Sequence, residues 1–261
     1  MMIENNGFLM FRSDEAESFL IEHMPKREIR LVQLHHTWSP EYKHFDGRNH
    51  FTRQAAMRQS HLGRGFSDIA QHFTVFPDGM IVTGRNLKKD PAGIVGANSH
   101  AVCIENFGNF DVGHDVMTGE QADAIIILTA ALCKAFGLNP ETAITYHAWW
   151  TAKGQALGNY HPAKSAKTCP GTAFFGGNTK DAFLKNLLPC VKGAVQALDK
   201  IKEETGMRYK YYDDMPDWAK PTIAKLVHKG YLVGKGGGVL DLSEDMLREF
   251  CTNDRAGLYG E

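Results

Sequence analysis

At 261 residues, with 43% hydrophobic and 23% charged side chains, the chain is long enough to bury a substantial core and has an ordinary globular composition. Its formal net charge of −1 gives no electrostatic drive toward nucleic acid or an anionic membrane surface, so neither is expected as a partner. Five cysteines (Cys103, Cys133, Cys169, Cys190, Cys251) at irregular spacing argue against a disulfide framework and leave the thiols reduced or metal-bound.

The opening Met1-Met2-Ile3-Glu4-Asn5-Asn6-Gly7 has neither a basic n-region nor a continuous apolar h-region, and no stretch approaches the ~20 apolar residues that span a bilayer. Synthesis in the cytoplasm without a signal peptide, and no membrane span, are therefore expected. Ser13-Asp14-Glu15 followed by Ala16, Phe19, Leu20 and Met24 predicts a capped helix that Pro25 ends. Ile29 to Leu34 is an aliphatic strand running into His35-His36-Thr37, and Trp38 to Gly47 is loop. Residues 48–62 are helical until Gly63 and Gly65 stop them.

Ile69 to Phe76, Pro77-Asp78-Gly79 and Met80 to Thr83 predict a strand, turn and strand, because Asp-Gly supplies the positive φ of a tight hairpin. Ala101 to Phe107 is a further strand that carries Glu105 among apolar neighbours. Thr118 and Gln121 have the spacing of a capping box for a helix through Ile125, Leu128, Leu132 and Phe136, closed by Gly137, with Cys133 packed in its core. Ala143 to Tyr146 is a short strand that delivers His147, and a long loop then brings Lys167 and Cys169. A helix over roughly 179–189 follows, then a polar, helix-prone connector. From Tyr209 the composition changes, and helices over Thr222 to Lys229 and from Ser243 onward flank a Gly234-to-Gly238 turn.

The chemistry concentrates in three of these places. His35 and His147 both stand where a strand runs out into loop, the position at which open α/β sheets hold ligands. Cys169 is held by the rigid Pro170-Gly171 turn. Two imidazoles and a thiol are three ligands of the kind a catalytic zinc site uses while keeping its fourth position for water. A zinc hydrolase is the first expectation, and a thiol hydrolase using Cys169 with His147 is the alternative.

Four blocks, in order, resemble the zinc-dependent N-acetylmuramoyl-L-alanine amidases of type 2, whose fold is shared with peptidoglycan recognition proteins and several phage lysins. They are Leu34-His35-His36-Thr37-Trp38; Phe66 to Phe73 continuing through Pro77-Asp78-Gly79 to Gly84-Arg85; Val102 to Gly108; and Tyr146-His147 with Lys167-Thr168-Cys169-Pro170-Gly171. The resemblance implies an α/β fold, a mixed central β-sheet flanked by helices. It implies one Zn2+ per chain on His35, His147 and Cys169, with Glu105 as general base and Lys167 steadying the oxyanion. His36, next to a ligand but on the opposite strand face, is then a supporting or core residue. Some relatives carry a catalytic tyrosine where this chain has Gln71, which cannot act as a phenolic acid. His72 and Trp149 either line the cleft or pack in the core, as does Trp150.

The implied substrate is bacterial peptidoglycan, cut between N-acetylmuramic acid and L-alanine. A phage or prophage endolysin fits best, acting on the wall after release, with a bacterial autolysin next. A non-catalytic peptidoglycan-binding protein of the same fold is the different-class alternative. The expected organisation is a catalytic domain over 1–191, a helical linker over 192–207 and a small helical module over 208–261. That module, from Asp214-Met215-Pro216-Asp217-Trp218, resembles a single S-layer-homology motif, which implies binding to a cell-wall polymer. Dimerisation or spacing is its alternative role.

Overall fold

The computed structural model describes residues 2–204 and 208–260. The chain divides into two compact units, Met1–Val195 and Gln196–Glu261.

In the first unit seven strands form one sheet: β1 (Ile3–Asn5), β2 (Phe8–Phe11), β3 (Leu31–His36), β4 (Phe73–Val75), β5 (Ile81–Thr83), β6 (Ala101–Asn106) and β7 (Ile144–Tyr146), in the order β1-β2-β5-β4-β6-β3-β7. The β1-β2-β5-β4 half is antiparallel, while β4-β6, β6-β3 and β3-β7 pair in parallel. Helix α1 (Ala16–His23) covers one face, where Phe19 stacks on Phe11 with ring centroids 4.7 Å apart, and α3 (Gly119–Ala135) joins it through Lys134 and Glu17. Helix α2 (His50–Gly63) covers the other face, where Phe51 and Ala55 pack on Phe8 and Val82. This is the mixed, helix-flanked sheet that the sequence implied.

The hairpin of β1 and β2 is absent from the sequence expectations. Its turn is Asn6-Gly7 at φ 54° and 76°, and two successive positive φ values are what a two-residue hairpin requires. Strand β4 is shorter than the apolar run Ile69 to Phe76, because the Ala70 and Gln71 carbonyls accept from Ala92 and Arg85 in the following loop. At α1 the expected Ser13 cap is not made. Ser13–Glu15 is a 3-10 turn, and the Glu15 carboxylate accepts the Arg12 N–H at 3.1 Å.

Only half of the expected capping box at α3 forms. Thr118 Oγ1 accepts the Gln121 N–H at 3.2 Å, but the Gln121 side chain is fully buried and turned away from the helix start. Its Nε2 donates to the carbonyls of Val75 (2.8 Å) and Phe107 (2.9 Å), and its Oε1 accepts the Tyr42 hydroxyl. One amide therefore joins the helix to two strand ends and to the loop after β3.

After the single-turn helix α4 (Pro140–Ala143) and β7, a long loop leads to α5 (Lys180–Ala182), a π-turn over Phe183–Leu187, and α6 (Leu188–Glu204). No break occurs near Cys190, so the expected helix over 179–189 and the expected linker run together. The π-turn explains this: a proline clashes with the carbonyl four residues back, and for Pro189 that residue, Lys185, lies in the wider turn. Linker residues 205–207 lie outside the described residues.

In the second unit β8 (Arg208–Tyr209) and β9 (Leu242–Ser243) form a two-residue antiparallel ladder that the sequence did not announce. Helices α7 (Lys220–His228) and α8 (Glu244–Arg255) enclose a core of Tyr209, Met215, Ala219, Ile223, Leu226, Leu247 and Cys251. Ser243 Oγ caps α8 by accepting the Met246 N–H, and Asp254 joins the helices by accepting from Thr222 and Lys225, each at 2.9 Å.

Replacing Gln121 by Leu would leave the Phe107 carbonyl without a donor and the Val75 carbonyl with the Phe107 N–H alone, and a loss of about 1–3 kcal/mol is expected. Urea unfolding followed by tryptophan fluorescence reads this through Trp149, which is buried in the same unit. An unchanged midpoint would show that those carbonyls find other partners.

Candidate metal centre

Because β3, β6 and β7 run parallel, their C-terminal ends open on the same edge of the sheet. His35 and His36 end β3, Glu105 stands next to last in β6, and His147 opens the turn after β7. The register lines up Met10, Val82, Thr74, Glu105 and His35 as successive Cα partners across the sheet. Partners share a face, and Val82 of this row packs against α2, so Glu105 and His35 point to the α2 side. There the strand ends and α2 enclose a cleft of about 930 Å³.

The Cys169 loop closes onto that edge. Cys169 Sγ lies 3.4 Å from His35 Nδ1 and accepts the His36 backbone N–H at 3.4 Å. The His35 and His147 rings are 5.1 Å apart, and one ligand atom from each of His35, His147 and Cys169 lies within 4.8 Å of the others. The donor chemistry fits a zinc ion: two imidazoles and a sulfur already receiving an N–H.

Several residues that fix these groups were not singled out from the sequence. Gln33, fully buried two residues before His35 on the same strand face, donates from Nε2 to the Ala97 carbonyl at 2.8 Å and presents Oε1 to His35 Nε2 at 3.4 Å. That contact assigns the proton to Nε2 and turns Nδ1 toward Cys169. Asn106 Nδ2 holds the His35 carbonyl at 2.7 Å. Asp111 clamps the cysteine loop from both sides, accepting Thr168 Oγ1 at 3.1 Å and the Thr172 N–H at 3.0 Å, while Asn178 Nδ2 donates to the Thr168 carbonyl at 2.7 Å. Gly93 passes so close that a Cβ there would stand 2.3 Å from Gln33 Oε1 and 2.9 Å from His35 Nε2. A polar residue two before a strand-end histidine is a signal that could have pointed to Gln33. Gly93 and Asp111 have no local signal.

Burial governs the charge states. It pushes His35 well below the ordinary histidine range, helped by His147 and Lys167, and lowers His147 to about 4. It also pushes the Cys169 thiol up. These side chains are thus neutral by themselves, and the thiol would lose its proton only to a cation bound beside it. Glu105 is raised to about 7 by burial, against the opposing pull of Lys167 and Arg64, and has no hydrogen-bond partner among the described residues.

The other expected site residues separate into two groups. Lys167 is exposed and lines the cleft, as do His36 and Gln71. His36 Nδ1 accepts the Phe110 N–H at 3.1 Å, which turns its ring away from the row that holds His35. Gln71 Nε2 donates to Thr74 Oγ1 at 3.0 Å, while its buried Oε1 has no partner. His72 and Trp149 do not line the cleft. His72 Nδ1 accepts the Cys103 N–H at 3.0 Å, so its proton sits on Nε2, 2.9 Å from the Lys89 carbonyl. Trp149 is 3% exposed, donates from Nε1 to the Asn178 carbonyl and packs on Tyr146 and Phe183; its bulk is needed in the core. Trp150 is likewise held, by Thr145 Oγ1 at 2.9 Å.

A family model described as N-acetylmuramoyl-L-alanine amidase matches residues 25–172. Among solved structures, the chain is similar to the endolysin N-acetylmuramoyl-L-alanine amidase LysCS from Clostridium intestinale, at 22% identity over 61% of this chain and 84% of that one, with a TM-score of 0.42. It is similar to Drosophila PGRP-LB at 22% identity over 62% and 82%, with a TM-score of 0.46. For Drosophila PGRP-SA the values are 20% identity, 63%, 83% and 0.48. No curated protein matches the chain significantly.

Gly93→Ala should destabilise the first unit by about 1–3 kcal/mol, since a methyl group cannot fit against Gln33 and His35; calorimetry of the full chain measures it, and a neutral result would mean the loop gives way. The imidazole of His72, which burial lowers to about 3, makes a pH-dependent contribution. The folded ring stays neutral while the unfolded one takes up a proton below about pH 6.5, so stability falls as pH drops from there toward 3, by on the order of 4 kcal/mol. His72→Gln should flatten the slope of unfolding free energy against pH in that window, and an unchanged slope would refute the assignment.

Proposed function

The chain belongs to the N-acetylmuramoyl-L-alanine amidase family, whose model spans more than half of it, and from that premise we propose a catalytic, zinc-dependent member that hydrolyses the bond between N-acetylmuramic acid and L-alanine in peptidoglycan. The supporting observation is the convergence of His35, His147 and Cys169 beside the unpartnered carboxylate of Glu105, in a cleft wide enough for a glycopeptide. A binding-only protein of this fold has no need of that carboxylate.

Zinc held on the three side chains would supply a Lewis acid that polarises the scissile carbonyl and lowers the pKa of water. Glu105, with its pKa near 7, is suited to accept a proton from the attacking water at one carboxylate oxygen and return it to the departing amine nitrogen. Lys167, at the cleft wall, donates an N–H to the carbonyl oxygen as charge develops there. Gln33 keeps the proton of His35 on Nε2, and Asp111 holds the cysteine loop against the strand ends. A thiol mechanism is less well supported. The imidazole beside the Cys169 sulfur is His35, itself buried, and burial keeps that thiol protonated.

The narrower parts of the proposal are that the unit Gln196–Glu261 binds a wall polymer and that the protein serves as a phage or prophage endolysin. Exposed Trp218 and Tyr231 support the first, since aromatic faces suit polymer binding. Timed detection of the protein outside its host separates an endolysin, released only at lysis, from an autolysin.

Digestion of purified peptidoglycan should create new L-alanine amino termini without new reducing sugar ends. The protein should hold about one zinc per chain and lose turnover in a chelator. Glu105→Gln should keep its zinc and lose on the order of 10²-fold or more in kcat. Full activity of the metal-free protein, or reducing ends in place of amino termini, would overturn the proposal.

A further inference from the structure

The α2 wall of the cleft carries charge beyond the groups assigned to hydrolysis. Arg53, Met57, Ser60 and Arg64 all line the cleft; a spacing of three or four residues places the first three on one stripe of α2, which Arg64, the residue that follows the helix, continues. Arg53 and Arg64 stand at the two ends of the stripe, about three turns or roughly 16 Å of helix rise apart. With Lys167 on the opposite loop, three cations face a cleft whose lining holds one carboxylate, Glu105. The whole chain has a net charge of −1, so this positive field is local to the cleft.

Neither arginine has an ion-pair partner among the described residues. Arg58, on the same helix but off the stripe, is held 2.7 Å from Asp68. Arg53 is half-buried, with its Nε buried and without a hydrogen-bond partner. An unsatisfied buried donor costs about 1–3 kcal/mol, more when the group is charged, and an incoming anion would remove that cost. Arg64 is exposed, with its guanidinium 5.2 Å from the Phe66 ring centroid; stacking orients the planar group and leaves its N–H edge free. Two arginines with free forks suit carboxylates, which they can bind through paired N–H groups.

We propose that Arg53 and Arg64 form a carboxylate-binding wall, so that the cleft selects a glycopeptide whose peptide portion carries free carboxylates over one in which they are amidated. The substrate part of this inference rests on the amidase function proposed above. Lys167 and Arg64 both pull the Glu105 pKa down; Lys167 is assigned to the reacting carbonyl, whereas Arg53 and Arg64 orient the peptide.

The test uses the zinc-loaded full chain with a muramoyl-peptide bearing free carboxylates, and the same compound with those carboxylates amidated. The wild type should favour the free form by about tenfold or more in kcat/KM. Arg53→Gln should raise KM for the free form by about 5–10-fold, leave kcat within about twofold, and change the amidated form little. Arg64→Gln should raise KM for the free form by a similar factor and also move the kcat–pH profile to higher pH for both forms, because Arg64 pulls the Glu105 pKa down. Arg53→Lys, which keeps the charge but not the fork, should recover part of the loss. Zinc content and unfolding midpoint, matched to the wild type, separate these effects from misfolding. Equal rates on both compounds, or an unchanged KM in both glutamine variants, would overturn the inference while the amidase function stands.

Binding of the free-carboxylate peptide to Glu105→Gln protein, measured by calorimetry, gives the converse separation. If the wild type cuts neither compound but this binding depends on Arg53, the amidase function fails and the carboxylate wall stands. Inorganic phosphate that competes as strongly as the peptide would mean that the wall takes anions in general, and would overturn the carboxylate assignment.

Discussion

The parallel pairing of β3 with β6 is the constraint on which the site depends. Its register makes Gln33 the partner of Cys103 and His35 the partner of Glu105, so an imidazole, its orienting amide and a carboxylate share one face of the sheet. A slip of one residue would send His35 to the opposite face, where α1 and α3 pack, and put His36 in its place beside Glu105. The aliphatic partners Val32 with Val102 and Leu34 with Ile104, all fully buried, hold the register from the other side of the same strands. Core packing and site geometry are therefore set by the same pairing.

The cysteine loop is fixed differently, since no strand pairs with it. Cys169 reaches the strand edge through the Ala148 N–H on its carbonyl, the Asp111 clamp on Thr168 and Thr172, and Asn178 on Thr168. Each contact satisfies a polar group that would otherwise be stranded at the sheet edge. The resulting cluster of neutral, buried donors is electrostatically costly to charge in isolation, which is the environment in which a bound cation has most effect. Glu105, raised by the same burial, stands at the inner end of a cleft whose α2 wall carries opposite charge.

Much of the fold was legible because strand and helix periods are local properties. The aliphatic runs at 29–34 and 101–107, the Asp-Gly hairpin and the Ile125-Leu128-Leu132 helix all correspond to elements of the sheet or its cover. The Asn6-Gly7 hairpin leaves a weaker trace, since a short N-terminal run with exposed residues has little apolar alternation. The run at 69–72 had strand composition, but loop donors took its carbonyls. The helix expected over roughly 179–189 continues past Pro189, because the π-turn before it makes room for the ring.

The sequence alone determined the donor types: two histidines at strand ends, a cysteine in a Pro-Gly turn and a carboxylate in an apolar strand. Those follow from residue chemistry and short-range pattern. It could not determine that Gln33 sets the tautomer of His35, that Gly93 must lack a side chain, or that Asp111 clamps the cysteine loop. Nor could it show that Trp149 and His72 belong to packed interiors, or that Arg53 and Arg64 face the same cleft as Glu105. Those facts depend on contacts between segments far apart in the chain, and strand register and helix packing exist only once the chain has folded.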